Sequence, residues 1–240
     1  MADPPGTGAD AAAITAVLTD VEGTTTPIRF VHEVLFPFAR ERLPDFLRHH
    51  GNDPEPAALL AAVREAFPET DPLAQLLRWM DEDNKATPLK TLQGLIWREG
   101  YRDGTLKGRL YPDVAPALRR WTAGGVRLAC YSSGSEDAQK LIFGFSDAGD
   151  LAPLFAGFFD TRVGAKRARE SYAHIAGRLG QDPDAILFLS DVEAELDAAA
   201  AAGLRTCQIV RPADGTVAGR NHPVAADFDA AGRLFFLPAR

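Results

Sequence analysis

The sequence predicts an α/β protein: a parallel sheet whose chain is interrupted, just after the first strand, by a wholly helical insert. Two observations predict it. Short apolar runs at 14–18, 126–131, 185–189 and 206–210 are separated, from residue 112 onward, by segments of helical periodicity. Strands that alternate with helices pair in parallel, because each parallel neighbour needs a crossover connection. Between Pro27 and about Arg109, by contrast, apolar residues recur only at helical spacing.

The first strand begins with the run from Ile14 to Leu18 and leads into Asp20, Glu22, Gly23 and three threonines. Side chains two apart on an extended chain point the same way, so Asp20 and Glu22 face one pocket if the chain stays extended. Gly23 then lets it turn without a Cβ clash. The insert opens with a helix carrying Phe30, Val34, Leu35, Phe38, Leu43 and Leu47, which Pro37 and Pro44 should bend or break. Asn52-Asp53-Pro54 marks a loop, and 56–67 reads as the next helix. Asp71-Pro72 opens another, with proline at its first position, and Thr87-Pro88 opens a last one that stops at Gly100.

Past the insert, a helix at 112–123 stops at Gly124-Gly125, and strand 126–131 ends in Ser132-Ser133-Gly134-Ser135. A helix at 136–145 and a short strand at 157–159 follow. Gly164 precedes a helix at 166–179, for which Gly180 is the stop. Strand 185–189 ends in Ser190-Asp191, helix 193–202 is stopped by Gly203, and strand 206–210 ends in Arg211-Pro212. The tail at 234–237 adds an edge strand. Residues 1–12, rich in Pro, Gly and Ala and free of Lys and Arg, read as a frayed leader and not as a targeting segment.

A net charge of −7 without a long basic run argues against nucleic-acid and anionic-membrane partners, while a small anionic substrate remains compatible with local cations. No window approaches a membrane span. Cys130 and Cys207 both sit in apolar runs and read as buried small hydrophobes. They form neither a disulfide framework nor a zinc spacing, which suits a reducing, cytoplasmic setting.

Residues with chemical capacity fall where strands end. Asp20 and Glu22 follow the first, Ser132 and Ser133 the second, Lys166 the third, and Asp191, Glu193 and Glu195 the fourth. Open α/β sheets bind ligands beyond their C-terminal strand ends, so one crevice would gather these groups. Ser133-x-x-Glu136 and Ser190-x-x-Glu193 both fit capping boxes. A capped helix N-terminus is also a phosphate site. Lys166 alone reads as a solvated residue, and Glu195 alone as half of a helix surface pair. The chemistry that fits the set is phosphoryl transfer to a carboxylate. Asp20 attacks phosphorus, and Glu22 protonates the leaving oxygen and later activates water. Asp20 and Asp191 supply hard oxygens for Mg²⁺. Ser132 and Lys166 hold the phosphoryl oxygens.

The order Asp-x-Glu-Gly-Thr, Ser-Ser-Gly-Ser, a lone Lys and Ser-Asp-x-x-x-Glu resembles the haloacid-dehalogenase-like hydrolases and, within them, the enolase-phosphatases. The likeness runs from Ile14 to Arg211 and is most specific in DVEGTTTPIRFVHEVLFPFA, YSSGSEDAQKLIFGFS and FLSDVEAELDAA. The Glu of the first motif is the narrowing feature, since most phosphatases of the superfamily carry Asp there. The resemblance implies a Rossmann-like core of residues 13–25 and 110–240 and a helical cap of residues 26–109. It implies one Mg²⁺ per subunit, held by Asp20, Glu22 through its backbone carbonyl, and Asp191. Ser132, Ser133 and Lys166 would bind substrate, and Asp20, Glu22 and Lys166 would be catalytic. The reaction would enolise 2,3-diketo-5-methylthiopentyl-1-phosphate and then hydrolyse the phosphate, giving the acireductone of methionine salvage. A monomer is expected. The alternative is a related Mg²⁺-dependent phosphatase acting on another small phosphate ester. Arg109 and Phe145 stand where the family often carries histidine, and Asn84 where a basic residue is common.

Overall fold

The computed structural model describes residues 13–239, so the leader expected at 1–12 lies outside the described residues. The strands are β1 (Ala16–Thr19), β2 (Arg127–Tyr131), β3 (Phe155–Phe159), β4 (Ile186–Ser190), β5 (Arg205–Ile209) and β6 (Val224–Ala225). The helices in the first half are α1 (Ile28–Phe30), α2 (Phe36–His50), α3 (Pro54–Ala66), α4 (Pro72–Asp81) and α5 (Thr87–Arg102). Then come α6 (Val114–Ala123), α7 (Glu136–Gly144), α8 (Arg169–Leu179), α9 (Glu193–Ala201) and α10 (Phe228–Leu234). The chain divides into two compact units. One comprises the residues up to Thr24, Pro112–Ser133, and those from Leu154 on; the other comprises Thr25–Tyr111 and Gly134–Pro153.

The first unit carries a six-stranded, wholly parallel sheet in the order β3-β2-β1-β4-β5-β6. The α/β expectation therefore holds. Strand order reverses at β1, where Thr19 pairs with Cys130 on one side and Leu189 on the other. Every residue of β1 is buried, as a central strand covered on both faces requires. Ala16 and Leu18 pack with Tyr131 and Phe188 against Tyr172 and Ile175 of α8 and Leu196 of α9. Full burial of Leu18, Ile175 or Leu196 contributes about 1.5–3 kcal/mol each.

The tail departs from the expected edge strand. Asp227 Oδ1 accepts the Ala230 N–H at 2.6 Å, and Phe228 is buried and stacked on Trp121 at 5.4 Å. A side-chain cap and a buried aromatic commit 228–234 to helix. The edge is made upstream instead, where Val224 and Ala225 pair with Gln208 and Ile209.

The second unit is helical, with a core of Ala39, Leu43, Val63, Leu76, Leu92 and Ile96. Neither Pro37 nor Pro44 breaks its first long helix. A π turn, Val31–Leu35, lies between α1 and α2, and the Phe36 N–H bonds to Val31 O across it. This wider turn stands immediately before Pro37, which has no N–H to donate. Pro44 lies inside α2, where buried Leu43 and Phe46 on either side hold the helix through the missing bond. Helix α3 begins at Pro54, two residues before the expected start, because proline suits the first helical turn. Residues 134–153 group with this unit, whereas the sequence reading kept them with the sheet. Gly108 donates to Phe145 O and accepts from Asp147 N, both at 2.8 Å, and a Cβ on it would lie 2.0 Å from Ile142 O. The continuous stretch Thr25–Tyr111 begins and ends at one hydrogen bond, Tyr111 N–H to Thr25 O at 3.0 Å.

Candidate active site

All the candidate side chains described below belong to the sheet unit. Asp20 extends β1 by one step, since its N–H donates to Leu189 O at 2.9 Å, and its carboxylate is buried. Half-buried Glu22 follows in the turn. Gly23 adopts φ +73°, and a Cβ there would lie 2.4 Å from Oδ2 of Asp191. Next in the chain, Thr24 Oγ1 accepts the Asp191 N–H at 3.0 Å and donates to Asp191 Oδ1 at 3.4 Å. Gln208 of β5 donates to the Asp191 carbonyl at 2.9 Å. Asp191 is thus held through both of its backbone groups, by one side chain from the loop after β1 and one from β5. Behind Thr24, the buried guanidinium of Arg211 donates to Thr24 O at 3.0 Å and grips Asp113 with two bonds of 2.9 Å.

Lys166 is not at a helix N-terminus, as expected, but three residues before α8 begins at Arg169. Nor is it solvated: its side chain is 10% exposed. Its ammonium lies 2.6 Å from Asp20 Oδ1 and 2.7 Å from Glu195 Oε2. Burial pulls the ammonium pKa down, but the Asp20 and Glu195 charges outweigh that and hold it above the ordinary lysine value.

Glu195 joins the cluster expected at the fourth strand end, and the surface pair it suggests when taken alone does not form. It is buried on the face of α9 that also carries Leu196, Ala198 and Ala199. A signal for this exists in the sequence. An acid on the small apolar face of an alanine-rich helix needs a buried cationic partner. Its carboxylate also explains Ser190. The Ser190 hydroxyl donates to Glu195 Oε2 and accepts from Val192 N–H, both at 3.1 Å, so Ser190 does not form the expected box with Glu193. Glu193 accepts instead from the backbone of Arg220 and Asn221.

Ser132 and Ser133 follow β2, the neighbour of β1. Ser132 is buried and its N–H donates to Phe159 O at 3.1 Å, while Ser133 is exposed. The second expected box fails as well, because Ser135, not Ser133, caps α7 by accepting from Ala138 N–H at 3.2 Å. The structure therefore brings Asp20, Lys166 and Glu195 into direct contact. It joins Asp191 to the loop after β1 through Thr24, and sets Ser132 and Ser133 at the adjacent strand end.

The charge balance of this cluster bears on a metal. Burial, and then the Asp20 charge, push the Asp191 carboxyl up to about 7. The Lys166 ammonium meets both Asp20 and Glu195, and the Asp20 charge also bears on Asp191, so the three carboxylates crowd negative charge that a cation would offset. Among the described residues no trio of His, Cys, Asp or Glu forms a complete metal cage. Hard carboxylates such as Asp20 and Asp191 suit Mg²⁺, which keeps several waters and takes phosphate oxygens.

A parallel sheet reversing at β1, with an aspartate at that strand end facing a buried lysine, defines a hydrolase of the haloacid dehalogenase-like class. The family model for haloacid dehalogenase-like hydrolases matches residues 14–203. The chain is 57% identical over 226 residues to the enolase-phosphatase E1 of Gluconacetobacter diazotrophicus, covering 94% of this chain and 96% of that one. It is 56% identical over 220 residues to the enolase-phosphatase E1 of Pseudomonas aeruginosa, covering 90% and 96%. The crystal structure of the UTR4 protein of Saccharomyces cerevisiae superposes with a TM-score of 0.78 at 34% identity, covering 90% of this chain and 99% of that one. The chain belongs to the enolase-phosphatase E1 family of haloacid dehalogenase-like hydrolases. Among the described residues no helix is long and apolar enough to cross a membrane.

Proposed function

We propose that this chain is a cytoplasmic, monomeric enolase-phosphatase of methionine salvage. It enolises 2,3-diketo-5-methylthiopentyl-1-phosphate, then hydrolyses the phosphate to give 1,2-dihydroxy-3-keto-5-methylthiopentene and inorganic phosphate. Family membership at more than half identity supports the substrate. The observation that carries the chemistry is the buried Asp20 carboxylate held 2.6 Å from Lys166 at the reversal of strand order.

Asp20, the backbone carbonyl of Glu22 and Asp191 would hold one Mg²⁺, which supplies charge stabilisation to the phosphoryl oxygens. Asp20 attacks phosphorus. The bond from phosphorus to the ester oxygen breaks, and Glu22 gives that oxygen its proton. Water then attacks the aspartyl phosphate while Glu22 takes the water proton, and cleavage of the bond between phosphorus and Asp20 releases phosphate. Ser132, Ser133 and Lys166 orient the phosphoryl group throughout. Glu22 is the group whose chemistry suits removal of the carbon-bound proton in the enolisation, because Lys166, paired with Asp20 and Glu195, keeps its own proton.

The test follows both products at once. Enzyme, Mg²⁺ and the diketo phosphate should give an enol absorbance that rises before, or together with, free phosphate. Phosphate release without an enol signal would replace this reading by the plain phosphatase alternative. EDTA should abolish turnover and added Mg²⁺ restore it.

A further inference from the structure

The segment that carries Lys166 lies outside helix and strand, yet three successive carbonyls in it each accept a side-chain hydroxyl. Tyr131 OH donates to Gly164 O at 2.9 Å, Ser171 Oγ to Ala165 O at 2.8 Å, and Tyr172 OH to Lys166 O at 2.6 Å. All three donors are buried, with Tyr131 and Tyr172 at 0% exposure and Ser171 at 1%. Their rings and backbones are fixed in turn. Tyr131 ends β2, Ser171 and Tyr172 lie in the first turn of α8, and the two tyrosine rings meet edge to face at 5.5 Å.

The clamp has no slack at Gly164. Its φ is +137°, and a Cβ there would lie 2.3 Å from the Ser171 hydroxyl oxygen. Ala165 O also takes a turn bond from the Ala168 N–H at 2.9 Å. Three buried hydroxyls spent on three neighbouring carbonyls fix the backbone from which the Lys166 side chain departs. That matters because the Lys166 ammonium must meet Asp20 and Glu195 at 2.6 and 2.7 Å together. A long flexible side chain keeps such a geometry only if its root is held.

We infer that Tyr131, Ser171 and Tyr172 are positioning residues which hold Lys166 in register with Asp20 through its main chain, and so set the strength of phosphoryl binding. The inference rests on the proposed role of Lys166 against the phosphoryl group.

The test is a double-mutant cycle of Tyr172→Phe and Lys166→Ala, read on an aryl phosphate as well as on the diketo phosphate. Tyr172→Phe keeps the ring and loses one hydrogen bond, so kcat/KM should fall by about two- to tenfold. The inhibition constant for inorganic phosphate should rise by a similar factor. In the Lys166→Ala background the same change should cost nothing further, because the group it positions is gone. Ser171→Ala, a second route to the same clamp, should reproduce the pattern. Independent, additive losses in the two backgrounds, or an unchanged phosphate inhibition constant, would overturn the inference. Loss of diketo activity alone bears only on the substrate reading, since the cycle is complete on the aryl phosphate.

Discussion

Gly23 and Asp191 leave no room for a carbon between them: a Cβ on Gly23 would lie 2.4 Å from Oδ2 of Asp191. Gly23 also adopts φ +73°, which costs an L-residue about 1–2 kcal/mol. Gly23→Ala must therefore strain its own backbone and push the Asp191 carboxylate aside. The Mg²⁺ concentration for half-maximal activity should rise by about tenfold, the equivalent of one charge-assisted contact. Titration of activity against Mg²⁺ checks this. An unchanged requirement would remove Asp191 from the proposed metal set.

Arg211 is a second anchor of the same loop. Its two bonds to Asp113 are buried, with side chains 7% and 15% exposed, and it also donates to Thr24 O. Removing one member of a buried pair strands the other. Arg211→Met and Asp113→Asn should each destabilise the fold by about 3–5 kcal/mol in urea unfolding. The double variant should be less destabilised than the sum of the two. Additivity would show that the pair acts as two separate contacts.

Glu22→Gln separates the two halves of the proposed mechanism. It keeps size and hydrogen bonding but exchanges no proton at neutral pH. With the diketo phosphate the rate should fall by about a hundred- to ten-thousand-fold. An aryl phosphate releases a stable phenolate and needs little protonation, so the variant should show a phenol burst near one equivalent and hold phosphate on Asp20. Asp20→Asn should show neither burst nor label. Wild-type turnover of both substrates by Glu22→Gln would confine Glu22 to its backbone carbonyl.

The buried thiols make a pH prediction. Burial pushes Cys207 up to about 12, and burial likewise raises Cys130 well above its ordinary value. The folded state then keeps protons that the unfolded chain gives up above an ordinary thiol pKa of about 8.5. Stability should be fully present below that pH and fall as pH rises toward 12. Native protein should resist alkylation at pH 8 and react once unfolded. Urea midpoints measured from pH 7 to 11 should fall less steeply for Cys207→Ala than for the wild type. Parallel slopes would show that Cys207 ionises alike in the folded and unfolded states.

The sheet and the approach of Asp20 to the fourth strand's end were legible because both follow from chain order. A buried strand must end somewhere, and in a parallel sheet the ends of β1 and β4 fall side by side. Other features turn on which partner a side chain finds, which spacing does not encode. Ser190 reads as a helix cap until its hydroxyl is seen donating to the Glu195 carboxylate. Pro44 reads as a helix break until Leu43 and Phe46 are seen buried beside it. The hydroxyls of Tyr131, Ser171 and Tyr172 leave no mark at all in the pattern, because their acceptors are main-chain carbonyls common to every residue.

One hydrogen bond, Tyr111 N–H to Thr25 O at 3.0 Å, closes the doorway through which the helical stretch leaves the sheet unit and returns. A segment whose two ends already touch asks its host only for that gap. The host's cost of closing a loop grows only with the logarithm of the loop's length, so lengthening the segment adds little penalty to the strands around it. The sheet's chemistry and the insert's sequence can on this account drift at different rates, as a lathe keeps its chuck while its tools are changed.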